Sequence, residues 1–167
     1  AFSIGISDSI IKKGLSKFKG VERRFNYLFK SNDATFFDDY AHHPTEIRSV
    51  LDGVNEVYKK KEIICIFQPH RISRVKNLKL EFSKCFKKAD TVLLCPIFKA
   101  NENIKLGFSY SHFARLIIKN SKVKLINIEN ELKLKKLLQQ TAYGEKIYIA
   151  MGAGSVSAWI RSFKNKI

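Results

Sequence analysis

Short continuous apolar runs alternate along the chain with longer stretches in which apolar residues recur every third or fourth position. The clearest runs fall at 34–37, 62–67, 91–95 and 146–150, with less regular ones at 25–29 and 122–126. A run without polar alternation predicts a strand buried on both faces. Between the runs the spacing predicts helices over 46–60, 73–88, 110–119, 129–139 and 155–163. In the 73–88 segment Val75, Leu78, Leu80, Phe82 and Phe86 supply a broad apolar stripe. Strand and helix alternate five times. That order predicts an α/β fold of the Rossmann-like, doubly wound kind, a mostly parallel sheet with helices on both faces. A further helix is expected over 4–18, where Ile10, Ile11, Leu15 and Phe18 share a face between the breakers Gly14 and Gly20. It has no packing partner of its own in the chain. The connection over 97–107 shows no clear period.

Composition narrows this picture. The 167 residues suit one sizeable domain with at most a scrap of another. No apolar run approaches the roughly 20 residues of a membrane span, and the first residues lack a basic leader followed by a long apolar core. The sequence opens on Ala1 rather than methionine, as a fragment or a processed chain would. Cys65, Cys85 and Cys95 have neither metal-site nor disulfide spacing, and Cys65 and Cys95 lie inside apolar runs, so buried thiols and a cytoplasmic location are expected. The net charge of +16 raises the question of nucleic acid. However, 24 of the 31 basic residues are lysines, and they are scattered. Arginine, the better reader of phosphates and base edges, is scarce, and the aromatic residues sit in apolar runs. The expectation is a solvated basic surface that attracts small anions, with neither nucleic acid nor membrane as a partner.

Chemistry concentrates where strands give way to helices. The segment Asp38-Asp39-Tyr40-Ala41-His42-His43-Pro44-Thr45-Glu46 follows one apolar run and precedes a helical pattern. In α/β proteins ligands bind at such carboxyl ends of strands. A carboxylate there can accept ribose hydroxyls, and an imidazole can hold an anion or a hydrogen bond. The same residues could instead order the helix start, with His43 or Thr45 as cap, Pro44 in the first turn and Glu46 at the positive end of the dipole. Adjacent His42 and His43 lack a third ligand at metal-site spacing. A second cluster, Gln68-Pro69-His70-Arg71-Ile72-Ser73-Arg74, also follows an apolar run. A helix starting there would put Arg71 and Arg74 on one side, which suits a carboxylate or phosphate. In Gly20-Val21-Glu22-Arg23-Arg24-Phe25 one arginine can be a structural tether while the other reaches a phosphate. Met151-Gly152-Ala153-Gly154-Ser155 begins like a dinucleotide fingerprint, but Ser157 stands where its third small residue belongs, so a tight turn with close helix packing is the stronger reading. The chain carries no G-x-x-x-x-G-K-[ST] phosphate loop and no pattern for a covalent nucleophile.

Four blocks together resemble the C-terminal domain of the Mur ligase family. They are Phe18-Lys19-Gly20-Val21-Glu22-Arg23-Arg24-Phe25, the Asp38–Glu46 block, Phe67-Gln68-Pro69-His70-Arg71-Ile72-Ser73-Arg74, and Met151-Gly152-Ala153-Gly154. The Gln-Pro-His-Arg run resembles the branch that adds L-alanine, rather than the relative that recycles murein tripeptide. Ile72 stands at a usually aromatic position and Ser155 at a usual Asp. The resemblance implies that residues 20–167 are the last of three domains and that 1–19 are the tail of the central, ATP-binding one. It implies a reaction in peptidoglycan precursor synthesis: ATP activates the lactyl carboxylate of UDP-N-acetylmuramate as an acyl phosphate, and L-alanine attacks it. By similarity Arg24 would approach the ATP phosphates as the catalytic arginine. Asp39 would face the ribose, with Tyr40 and His42 near the nucleotide. His70, Arg71 and Arg74 would hold L-alanine or the lactyl carboxylate. Mg2+ ligands would lie outside this chain, which alone would be inactive for want of the ATP loop. The alternative is a stand-alone nucleotide- or anion-binding module.

Overall fold

The apolar runs become six strands of one sheet: β1 (Asn26–Ser31), β2 (Ala34–Asp39), β3 (Glu62–Phe67), β4 (Thr91–Leu94), β5 (Lys124–Asn127) and β6 (Lys146–Met151). The computed structural model describes residues 2–17, 20–102 and 108–164. The strands lie in the order β1-β2-β6-β3-β4-β5. All neighbours are parallel except β1, which pairs antiparallel with β2. The β1–β2 hairpin turns on Asn32 and Asp33, both at positive φ (44° and 69°). Such a two-residue turn matches strand twist, and Asn and Asp tolerate it best after glycine.

The sheet is covered on both faces. On one, α2 (Pro44–Val57), α3 (Ile72–Asn77), α4 (Lys79–Lys84) and α5 (Tyr110–Ser121) pack Ile47, Leu51, Val75, Phe82 and Ile117 against Phe37, Ile63, Cys65, Phe67 and Leu94. On the other, α6 (Glu131–Thr141) and α7 (Val156–Lys164) set Leu134, Leu138, Ile160 and Phe163 against Phe36, Ile64, Ile66, Leu93 and Tyr148. Successive residues of β3 therefore enter opposite cores, which explains its unbroken apolar run. Each such side chain contributes about 1.5–3 kcal/mol on burial. Phe36 stacks between Phe29 at 4.5 Å and Tyr148 at 4.8 Å, tying the antiparallel edge to the parallel sheet.

Several expected boundaries move. The helix expected over 73–88 breaks into α3 and α4 at Leu78, whose φ of −110° and ψ of 23° leave the helical region. Val75 and Phe82, on either side of the break, are both fully buried, so packing on the sheet accommodates the kink. The strand expected at 122–126 is shifted to Lys124–Asn127, because Lys122 caps α5 in the left-handed conformation. The first helix is α1 (Asp8–Lys17), preceded by a 3-10 turn at Phe2–Ile4. None of its described residues is buried, while Ile10 and Leu15 are exposed. Phe18 and Lys19, expected in the helix and the first motif, lie outside the described residues, as do 103–107 of the loose connection. All three cysteines are free and buried. No helix among the described residues is long and apolar enough to cross a membrane.

Candidate functional site

Register decides which loops meet. Asp39 pairs with Met151, Met151 with Phe67, Phe67 with Leu94, and Leu94 with Asn127. The parallel strands thus end level, and their following loops share one edge. Because β1 runs the other way, with Asn26 opposite Asp38, the segment before it arrives at that edge too. Three of the four sequence motifs and most of the first are thereby gathered in one place.

The Asp38–Glu46 segment orders itself. Asp39 is only 4% exposed. Its Oδ1 accepts the N–H of Ala41 at 2.7 Å and its Oδ2 that of Phe25 at 2.8 Å. Burial pushes its carboxyl above the usual value, opposed by those two N–H donors. Asp39 therefore clamps two loops together, each of its oxygens taking one backbone N–H. His43 caps α2 through Nδ1, Pro44 takes the first turn, and Glu46 accepts the N–H groups of His42 and His43 at 2.9 and 3.1 Å. Burial raises the Glu46 carboxyl, but those N–H donors, with the Arg24 charge, bring it below the usual range. The capping reading holds for His43 and Glu46, while the Tyr40 and His42 rings meet edge to face at 5.2 Å and His42 meets His70 at 5.8 Å.

The segment after β3 is held from three sides. Gln68, 3% exposed, accepts the N–H of Val156 at 2.9 Å and donates to Ser155 Oγ at 3.1 Å, so it caps α7 from the neighbouring loop. His70 lies flat on Phe98, with centroids 5.6 Å apart and planes 9° apart. Its Nδ1 faces Arg74 Nη1 at 3.2 Å. Burial first, then the Arg74 charge, lowers the His70 pKa below the usual imidazole value. Arg71 sits at φ 67° and ψ 129°, a conformation costing about 1–3 kcal/mol. Its N–H bonds the Phe98 carbonyl at 2.9 Å, which holds it there. Glu102 accepts the N–H of Ser73 at 3.0 Å and also its hydroxyl, fixing the start of α3. Those Ser73 bonds hold the Glu102 carboxyl below its usual value.

The two arginines before β1 divide as tether and free charge. Arg23 Nη2 donates to the Gly152 carbonyl at 2.5 Å, and its guanidinium lies 4.7 Å from the Tyr40 ring centre. Its Nε stands 3.9 Å from Asp38 Oδ2, which also accepts Ser157 Oγ at 2.6 Å and Arg161 Nη2 at 3.1 Å. Arg24 is exposed, and its field reaches Asp39 and Glu46. The Met151–Ser155 turn is a packing device. A Cβ at Gly152 would stand 2.7 Å from the Gln68 carbonyl, and one at Gly154 would strike Gln68 Oε1 and Phe98.

Tyr40, His42, His70 and Arg74 thus form a continuous row, with Arg71 alongside and Arg24 across the Asp39 clamp. Sequence reading gave no role to Gln68, Phe98, Glu102 or Asp38. Gln68 and Asp38 stood inside motifs already singled out, but Phe98 and Glu102 lie in the segment without a period, where no local signal marks them. Among the described residues no group of three or more His, Cys, Asp or Glu side chains converges as a metal site would require.

The molecule is a doubly wound, mostly parallel α/β domain that gathers arginine and histidine side chains at the carboxyl edge of its sheet. The chain belongs to the Mur ligase family, whose glutamate ligase domain matches residues 23–154. It is 59% identical over its whole length to the UDP-N-acetylmuramate–L-alanine ligase of Pelagibacter ubique, of which it spans 36%. It is 38% identical to the corresponding ligase of Brachyspira hyodysenteriae, with 98% of this chain and 35% of that protein covered. The crystal structure of the Thermotoga maritima UDP-N-acetylmuramate–alanine ligase superposes with a TM-score of 0.75 at 26% identity, covering 98% of this chain and 34% of that one. The chain therefore spans just over a third of the relatives it matches.

Proposed function

We propose that the chain is the C-terminal, amino-acid-adding domain of an ATP-dependent ligase that joins L-alanine to the lactyl carboxylate of UDP-N-acetylmuramate, a step in building peptidoglycan precursors. The observation that carries this reading is the row of His70, Arg71 and Arg74 beside Tyr40 and His42 at the carboxyl edge, on a chain 59% identical throughout to such a ligase. His70, Arg71 and Arg74 bind a carboxylate, the group common to both substrates. Arg24, exposed at the end of its loop, approaches the ATP phosphates and balances the charge of the transferred group. Tyr40 and His42 line the cleft between nucleotide and amino acid. Asp39 serves the nucleotide side by holding the Arg24 and Tyr40 loops in place. ATP and Mg2+ are held chiefly by the preceding domain, to which residues 1–19 belong as its tail; the exposed apolar face of α1 supports that assignment. Closure of the domains brings the row over the acyl phosphate and excludes water that would hydrolyse it.

The full-length polypeptide, given ATP, Mg2+, UDP-N-acetylmuramate and L-alanine, should release ADP and phosphate and form UDP-N-acetylmuramoyl-L-alanine. Arg71→Ala should lower kcat/KM for L-alanine by about 100-fold, as loss of one partner of a desolvated charge pair does. Product formation that does not depend on alanine, or an unimpaired variant, would count against this assignment. Turnover by the isolated domain would overturn its dependence on the preceding one.

A further inference from the structure

Two imidazoles face each other in the site, and their neighbours hold them in opposite tautomers. His42 Nδ1 lies 3.0 Å from the Tyr40 carbonyl and 3.6 Å from Glu46 Oε2. Both partners only accept, so in the neutral ring Nδ1 carries the proton and Nε2 keeps the lone pair. His70 Nδ1 lies 3.2 Å from Arg74 Nη1. A guanidinium only donates, so here Nδ1 is the acceptor and the proton sits on Nε2. The rings are 5.8 Å apart and inclined at 67°. Phe98, stacked on His70, fixes the plane of that ring.

An α-amino acid arrives with an ammonium on the carbon next to its carboxylate, and that nitrogen cannot attack until a proton leaves. His70 Nε2–H, Arg71 and Arg74 are all donors. They suit the carboxylate, and none of them can take the proton. The acceptor in the same row is His42 Nε2. Resting on the ligase reading above, we propose that His42 is the general base that deprotonates the incoming amino acid, while neutral His70 donates from Nε2 to its carboxylate.

The proton passes from the ammonium nitrogen to His42 Nε2. The resulting imidazolium keeps its Nδ1–H on the Tyr40 carbonyl, with the Glu46 carboxylate beside it to offset the charge. The freed nitrogen lone pair forms a bond to the acyl-phosphate carbon. The bond from that carbon to the phosphate oxygen breaks, and its electron pair leaves with the phosphate. The remaining excess proton on nitrogen passes to the departing phosphate as the amide settles. The charged or titratable groups around His42 are Glu46 on α2, Tyr40 before it, His70 and Arg74 from the β3–α3 side, and Arg24, whose field reaches Glu46. The lowered His70 pKa agrees with a ring that stays neutral.

The test uses the full-length polypeptide. With 15N-labelled histidine, long-range 1H–15N spectra should show His42 protonated on Nδ1 and His70 on Nε2; the reverse at either ring overturns the proposal without reference to activity. In turnover, His42→Gln should lower kcat for L-alanine by about 100-fold or more, the usual scale of a lost general base. KM for ATP should stay near the wild-type value. Hydroxylamine, an amine already neutral at the assay pH, should still capture the acyl phosphate in the variant at close to the wild-type rate. An unchanged kcat, a defect seated in the KM for ATP, or an equal loss with hydroxylamine would each refute His42 as the base while leaving the ligase reading intact. A wild-type protein that forms no product with any amino acid would instead sink that reading and the base with it.

Discussion

The two ends of the sheet solve the same problem, satisfying polar groups next to an apolar core, in different ways. At the amino ends, side chains pair with one another at the surface: Lys30 with Asp33 at 2.7 Å and Lys146 with Glu62 at 3.5 Å. At the carboxyl ends, several buried or half-buried side chains pair with the main chain. Asp39 holds two backbone N–H groups, Gln68 holds the N–H of Val156, and Arg23 holds the carbonyl of Gly152. The first arrangement ties side chains to one another and leaves the main chain out. The second fixes loops, including Arg23, Phe25 and Arg71 at positive φ. The ordered loops are those that carry the proposed site, where several groups have to be held in one geometry.

Substitutions at the two ends should therefore differ sharply. Gly152→Ala combines a φ of 147° with a Cβ 2.7 Å from the Gln68 carbonyl, and should destabilise by about 3 kcal/mol from strain and overpacking together. Urea unfolding would register this as a lower midpoint at unchanged slope. Asp38→Ala removes the acceptor shared by Ser157 and Arg161 and leaves the Arg23 guanidinium without its carboxylate. The expected loss is about 2 kcal/mol, since the arginines retain some solvent. Lys30→Ala, at the other end, should leave the unfolding midpoint within error. A loss there equal to that of Gly152→Ala would erase the contrast between the two ends.

The parts legible in the sequence are those in which one residue's environment is set by its neighbours in the chain. Strand β3 announced itself because both its faces are buried, and three of the site loops because each follows a buried strand. The Asn32-Asp33 turn carried a hairpin signal that marks β1 as antiparallel, yet periodicity alone does not read it. The break at Leu78 carries no glycine or proline, and the apolar stripe runs straight through it, so only packing on the sheet reveals it. The division of labour between Arg23 and Arg24, or Asp38 and Asp39, depends on which loop lies across from each. Asp38 meets Ser157 and Arg161 from α7, more than 100 positions away in the chain, and Asp39 meets Phe25. Phe98 and Glu102 belong to the site through contacts with His70 and Ser73 that no local pattern encodes.

The position of β6 also has a consequence for synthesis. It lies between β2 and β3, so the strands made first, the β1–β2 hairpin and the β3–β4–β5 unit, are not neighbours in the sheet. A nascent chain holds two partial sheets with open edges until Met151 has left the ribosome, and both edges wait for the same strand. Closure of this sheet is then a late, long-range event, slow by its topology and exposed to mispairing or chaperone capture. Damage to β6 should show itself as lost yield during expression well before it appears as altered stability of the protein that does fold.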